Sequence, residues 1–179
     1  NFNKSKSIDK KHNLNNPSLF LDLPLNAKTK APSHFSLNES IKQDIMSTPA
    51  INAEEKVYDF ADILTKDEED KLYKHVKNFV DGANMDYVIV TTSKNNKASA
   101  SKYARDFYDY NDFSNDGIIL LIDRDKNGIY MSTSGRAVEL FSDERMEPIL
   151  KNVFELTKKK KFYDACKSFT TSISEIVKI

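Results

Sequence analysis

The chain has 179 residues, enough for one domain of ordinary size with something left over. Its 27 basic and 27 acidic residues cancel, which argues against a globally basic nucleic-acid or membrane-surface binder. A single cysteine, Cys166, rules out an internal disulfide and a cysteine-rich metal site. The longest apolar run falls far short of the ~20 residues a membrane helix needs, so no transmembrane segment is expected and the chain reads as soluble. It opens with Asn rather than Met, as a processed or trimmed chain does, and shows no signal peptide.

Residues 1–50 differ in composition from the rest. Asn, Lys and Ser dominate, Pro17, Pro24, Pro32 and Pro49 fall here, and apolar residues are sparse outside Leu19-Phe20-Leu21 and Leu23. This is expected to be an extended, partly solvated N-terminal arm or tether with little core of its own; docking of Leu19 to Leu25 is the lesser alternative, and Ser40 to Met46 is a candidate short helix.

Residues 51–179 read as the folded domain. Thr65 with Glu68 forms a capping box, and a helix follows with Leu72, Val76, Phe79 and Val80 on one stripe and Gly82 as its expected stop. Tyr87 to Val90 is β-branched and aromatic, as a strand should be. A polar loop with Lys94 to Lys97 precedes a second helix carrying Ala100, Tyr103, Ala104, Phe107 and Tyr108 at helical spacing.

The chain is organised around the stretch that comes next. Ile118 to Ile122 is an unbroken apolar run between Asn115-Asp116-Gly117 and Asp123, which suits a strand buried on both faces. Asn127-Gly128 predicts a two-residue hairpin turn, and Ile129 to Thr133 alternates as a returning strand with one wetter face. Asp123 and Asp125 then lie at the turn end, and Asp116 lies at the other end beside Ser134-Gly135-Arg136. The strand length separates those ends by roughly 20 Å, so they cannot be one site.

Ser142 is placed to cap a third helix with the stripe Met146, Ile149, Leu150, Val153 and Leu156, restarting at Pro148. The run Lys158 to Lys161 connects it to a last helix bearing Phe162, Ala165, Cys166, Phe169, Ile173 and Val177. A strand, a helix and another strand in succession imply a right-handed parallel crossover. The expected fold is therefore α/β: a small mixed β-sheet, parallel crossover plus central antiparallel hairpin, sandwiched by about four α-helices.

Chemistry-bearing motifs are few. Asp123, Asp125 and Asn127 set oxygen ligands at alternate positions with Gly128 sixth, as a calcium loop begins. Ser134 stands where the bidentate Glu belongs, and Asp, Asn and Gly also favour turns for local reasons. These three are a secondary metal site at most. His75 is expected on an exposed helix face, and Cys166 falls on an apolar stripe as a core thiol.

From Val57 to about Val177 the chain resembles the TPM domain family, found in thylakoid photosystem-repair proteins, exported bacterial proteins and a nematode receptor modulator. Val57-Tyr58-Asp59-Phe60-Ala61-Asp62-Ile63-Leu64 is similar to the family's Val-x-Asp-x-Ala-x-Leu-Leu opening. Asn115-Asp116-Gly117 is similar to its strand entry, and Gly135 and Asp143 fall where it has a glycine and a helix-opening Asp. Thr133-Ser134-Gly135 departs from the Gly-Tyr-Gly of many members, which puts in doubt any activity that depends on that turn.

The resemblance implies a compact α/β sandwich outside the cytoplasm, often membrane-tethered, with calcium binding in some members and weak phosphatase activity in a few. If Asp59 closes on the end that holds Asp116 and Asp143, three carboxylates converge. Such an all-oxygen set suits Ca²⁺, or Mg²⁺ as the alternative. Helix-end caps and a turn are the plainer roles for the same residues. Two functions follow. One is an extracytoplasmic, cation-binding module that acts on membrane or envelope protein partners and not on nucleic acid. The other is a metal-assisted phosphomonoester hydrolase using Asp59, Asp116 and Asp143, with Arg136 as phosphate clamp.

Overall fold

A computed structural model describes residues 19–21, 51–93 and 100–179. The expected helix at Ser40 to Met46 and the loop at Lys94 to Lys97 lie outside the described residues. The elements in chain order are β1 (Leu19–Leu21), β2 (Val57–Asp59), α1 (Lys66–Ala83), β3 (Asp86–Thr92), α2 (Ala100–Tyr110), β4 (Gly117–Asp123), β5 (Gly128–Ser134), α3 (Ala137–Leu140), α4 (Asp143–Lys158) and α5 (Phe162–Val177).

They build a mixed α/β sandwich around one five-stranded sheet of order β1-β5-β4-β3-β2. β2, β3 and β4 are mutually parallel, β5 returns antiparallel to β4, and β1 runs parallel to β5 at the far edge. The parallel crossover from β3 through α2 to β4 and the central hairpin are as the sequence implies; the crossover from β2 through α1 to β3 is not foreseen there. Two strands are additions: the opening Val57-Tyr58-Asp59 is an edge strand, and Leu19–Leu21 of the arm belongs to the sheet.

Alternation along the strands feeds two cores. Tyr87, Ile89, Ile118, Leu120, Ile122, Ile129 and Met131 face α1, α4 and α5, whose Leu72, Val76, Phe79, Leu150, Val153, Phe169 and Ile173 are all at most 1% exposed. On the opposite face Tyr58, Val88, Val90, Ile119, Leu121 and Tyr130 pack against α2 through Tyr103, Ala104 and Phe107. β5 is thus buried on both faces through Thr133, not wetter on one, because α2 reaches over its Tyr130 and Ser132 side.

Three local expectations are corrected. The hairpin is a four-residue loop, since Asp123 pairs with Gly128 and leaves Arg124 to Asn127 between them. The Arg124 carbonyl accepts from the Asn127 N–H at 3.4 Å, and Asn127 alone takes positive φ (47°) while Gly128 enters the strand. The Asp123 side chain causes this, because its Oδ1 accepts from the Asp125 and Lys126 N–H groups at 3.1 Å each and closes the loop early.

Gly82 does not stop α1. Asn84 does so, in the left-handed region at φ 51° with its N–H on the Val80 carbonyl. The capping box at Thr65 and Glu68 is formed as read. Finally, α4 runs unbroken through Pro148. That proline is exposed in the second turn, where the one carbonyl it leaves without a helical donor, that of Glu144, is also on an exposed residue. Ser142 occupies the N-cap position without a side-chain cap bond.

Candidate functional site

The sheet has two ends, and the strand registers assign every candidate to one of them. Asp86 is level with Gly117 and Ser134 at the amino end of the parallel strands. Asp59 is level with Thr91 and Ile122, near the carboxyl end. Asp59 and Asp116 therefore stand about 20 Å apart along the strand direction alone. The expected convergence of Asp59, Asp116 and Asp143 does not form. The reason is that Asp59 ends a parallel strand rather than preceding the first helix on the other side.

At the amino end Asp116 is committed to Arg136. Its Oδ1 accepts the Arg136 backbone N–H at 2.9 Å, and its Oδ2 accepts Nε–H at 2.8 Å. The guanidinium continues through Nη2 to the carbonyls of Asn84 at 2.6 Å and Ala83 at 3.3 Å, where α1 ends. Those bonds from Arg136 hold the Asp116 carboxyl below its ordinary pKa. Gly135 makes the contact possible: it sits at φ 58°, and a Cβ there would overlap Asp116 Oδ1. Gly117 is likewise required, because a Cβ would overlap the hydroxyl of Tyr108, which donates to the Ser114 carbonyl at 2.8 Å.

A second ion pair on this end escaped the sequence reading. Lys56 Nζ lies 2.8 Å from Asp86 Oδ1, with both side chains 12% exposed. Asp86 Oδ2 accepts the Ser114 N–H at 2.6 Å, and Lys56 Nζ lies 5.2 Å from the centre of the Phe113 ring. No motif announces this set, because its members are scattered over sixty residues and meet only through the register of β2, β3 and β4. Asp143, first residue of α4, is exposed where a carboxylate suits the helix dipole.

Near the carboxyl end Asp59 is a structural anchor. Oδ2 accepts the N–H groups of Ile63 at 2.9 Å and Leu64 at 2.8 Å, and Oδ1 accepts the Thr91 hydroxyl. Asp59 faces the α1, α4 and α5 side with Val57 and Thr91, whereas Asp123 shares the α2 side with Ile119 and Leu121. The two carboxylates are on opposite faces of the sheet. Asp123 is 2% exposed and burial pushes its carboxyl up, opposed by the bonds from Lys126 and Asp125. Arg124 of the same loop donates to the Ala61 carbonyl at 2.8 Å and shares an exposed ion pair with Asp125 at 3.3 Å.

Among the described residues no group of three or more His, Cys, Asp or Glu side chains is arranged to hold a metal ion. Asp123, at the end of β4, and Asp125 and Asn127, in the loop that follows, lie together at the hairpin turn. His75 is exposed on α1, and Cys166 is wholly buried with its thiol pushed up to about 12 by that burial. Among the described residues no helix is long and apolar enough to cross a membrane.

Comparison with known proteins agrees with this architecture. Three solution structures share the fold. The N-terminal domain of a protein from P. gingivalis has a TM-score of 0.63 at 12% identity, over 70% of this chain and 83% of that one. The N-terminal domain of a Corynebacterium glutamicum protein gives 0.57 at 9% identity, over 72% and 83%. A protein of the psychrophilic bacterium Bizionia argentinensis gives 0.52 at 10% identity, over 65% and 86%. No curated protein matches the chain significantly. The family model of the TPM domain matches residues 57–176, from the first residue of β2 almost to the end of α5, and the chain belongs to the TPM domain family.

Proposed function

We propose that this TPM domain is an extracytoplasmic binding module that acts on membrane or envelope protein partners, and not a phosphatase. One observation carries the preference: Asp116 and Arg136, the pair a phosphate site would need free, are bonded to each other and to the end of α1. A phosphoryl group would have to displace the Asp116 carboxylate from its own guanidinium. The hydrolase reading on Asp59, Asp116 and Asp143 also needs one site from residues at two ends of the sheet.

Calcium binding belongs to the same proposal, with Mg²⁺ as the alternative, and the hairpin loop is its place. Asp123, Asp125 and Asn127 offer oxygen donors alone, the chemistry a hard cation selects. Asp123 is a buried carboxylate whose ionised form a cation would favour. The test is a calcium titration followed by amide chemical shifts, with a phosphomonoester assay on the same protein. Shifts at Asp123 to Gly128, no turnover, and loss of the shifts in Asp125→Asn support the reading. Turnover abolished by Asp116→Asn in a folded variant would sink it.

A further inference from the structure

The outer edge of β5 is the feature this reading leaves unused. β5 spans Gly128–Ser134, with side chains buried through Thr133, so what it offers a partner is its outward row of backbone N–H and C=O groups. β1 is a three-residue strand on that edge. Among the described residues its register is Leu19 with Ile129, Phe20 with Tyr130 and Leu21 with Met131. Pro17 and Pro24 bracket the segment, and a proline cannot donate to a strand ladder, so an uninterrupted ladder through it spans residues 18–23 at most.

We propose that the β5 edge is a strand-docking site for an extended apolar segment of a protein partner, and that Leu19–Leu21 is its built-in, displaceable occupant. The occupant defines the ligand chemistry: a short Leu- and Phe-rich segment running parallel to β5. A partner segment without the flanking prolines gains pairing along all of Gly128–Ser134, and strand addition draws its affinity from main-chain bonds. The arm competes because it is tethered, not because it pairs well. Residues 22–56 link β1 at one edge to β2 at the other, and their contour length far exceeds the sheet width of about 19 Å. The proposal rests on the binding-module reading and supplies that module's partner surface.

The test uses the full chain and the variant Leu19→Pro/Phe20→Pro. Adjacent strand residues point their N–H groups to opposite sides, so the double change removes a donor facing β5 in either phase. The probe is a synthetic peptide of residues 16–26 carrying Pro17→Thr and Pro24→Thr. The peptide is expected to bind the variant at least tenfold more tightly than wild type. It should also slow hydrogen exchange at Ile129 to Ser134. In wild type without peptide, Ile129 to Met131 should exchange more slowly than in the variant. Equal affinities, or protection away from β5, overturn the proposal. So does a concentration-dependent dimer in which β1 pairs with another copy, because the occupant would then be this chain itself. Should the variant unfold, peptide-induced shifts at Ser132 to Ser134 of wild type decide the matter. Phosphomonoester turnover would instead count against the binding-module reading and leave the strand-docking result as measured.

Discussion

Arg136 and Asp116 tie the exit of β5 to the entry of β4 and, through the same guanidinium, to the carboxyl end of α1. The backbone N–H and Nε–H of Arg136 occupy the two oxygens of Asp116 at 2.9 and 2.8 Å, and Nη2 reaches the Asn84 carbonyl at 2.6 Å. A cation here also complements the helix dipole. The Asn-Asp-Gly and Gly-Arg sequences therefore read best as two halves of one fastening.

A double-mutant cycle measures that fastening. Asp116→Ala removes both acceptors, and Arg136→Ala removes the guanidinium while sparing the backbone bond. The pair is exposed, with side chains at 32% and 53%, so solvent screening limits what it contributes. Denaturant unfolding is expected to show a coupling energy of about 1 kcal/mol. A coupling near zero would mean the two side chains act independently.

Gly135 supplies a sharper test of the same corner. Alanine at φ 58° meets the left-handed penalty, and its Cβ overlaps Asp116 Oδ1. Gly135→Ala should lose about 2 kcal/mol or more. In the background of Asp116→Ala the loss should shrink, because the Oδ1 overlap is gone, but not to the backbone penalty alone, since the Asn115 carbonyl oxygen stays 2.7 Å from the new Cβ. An undiminished loss would show that the overlap contributes nothing.

Asp59 should matter to stability although it lies in the opening pattern that resembles a family signature. Asp59→Ala leaves the Ile63 and Leu64 N–H groups and the Thr91 hydroxyl without their acceptor. At about 1 kcal/mol or more for each donor left unpaired, a loss of at least 2 kcal/mol is expected. Thr91→Val removes one of those bonds and also the acceptor of the Ala61 N–H, which donates to the Thr91 hydroxyl oxygen at 3.1 Å, so it too should lose stability while leaving the Ile63 and Leu64 bonds in place. Hydrogen exchange at Ile63 and Leu64 should quicken in Asp59→Ala and stay slow in Thr91→Val.

The sequence made the fold legible wherever one pattern served one element. Ile118 to Ile122 has the composition of a doubly buried strand, and Thr65 to Glu68 specifies a helix start from four residues. What it concealed is set by distance and register. Val57-Tyr58-Asp59 is too short to declare itself a strand until β3 lies beside it. Once it does, Asp59 is carried to the opposite end from Asp116, and the three-carboxylate cluster dissolves. The turn misled for a different reason: the Asn-Gly signal is real, but the side chain of Asp123 closes the loop first. Lys56 and Asp86 show the limit most plainly, since thirty residues separate a pair 2.8 Å apart.

Asp116 and Asp123 should pull stability in opposite directions with pH. The Asp116 carboxyl is held below its ordinary value near 3.8 by the bonds from Arg136. Its contribution is fully present above that value and is lost as pH falls through the lower folded value. Burial holds Asp123 above the same ordinary value, so the folded state takes up its proton more readily than the unfolded chain. Its ionised form therefore costs stability above the raised folded value, and the cost fades as pH falls through it. Asp123→Asn keeps an acceptor for the Asp125 and Lys126 N–H groups while removing the charge. Relative to wild type, it should gain stability as pH rises from about 3 to 7. Asp116→Asn should show the reverse, a deficit at neutral pH that narrows below about 4. Denaturant midpoints measured across that range decide it, and parallel curves for all three proteins would mean that neither carboxylate differs between the folded and unfolded states.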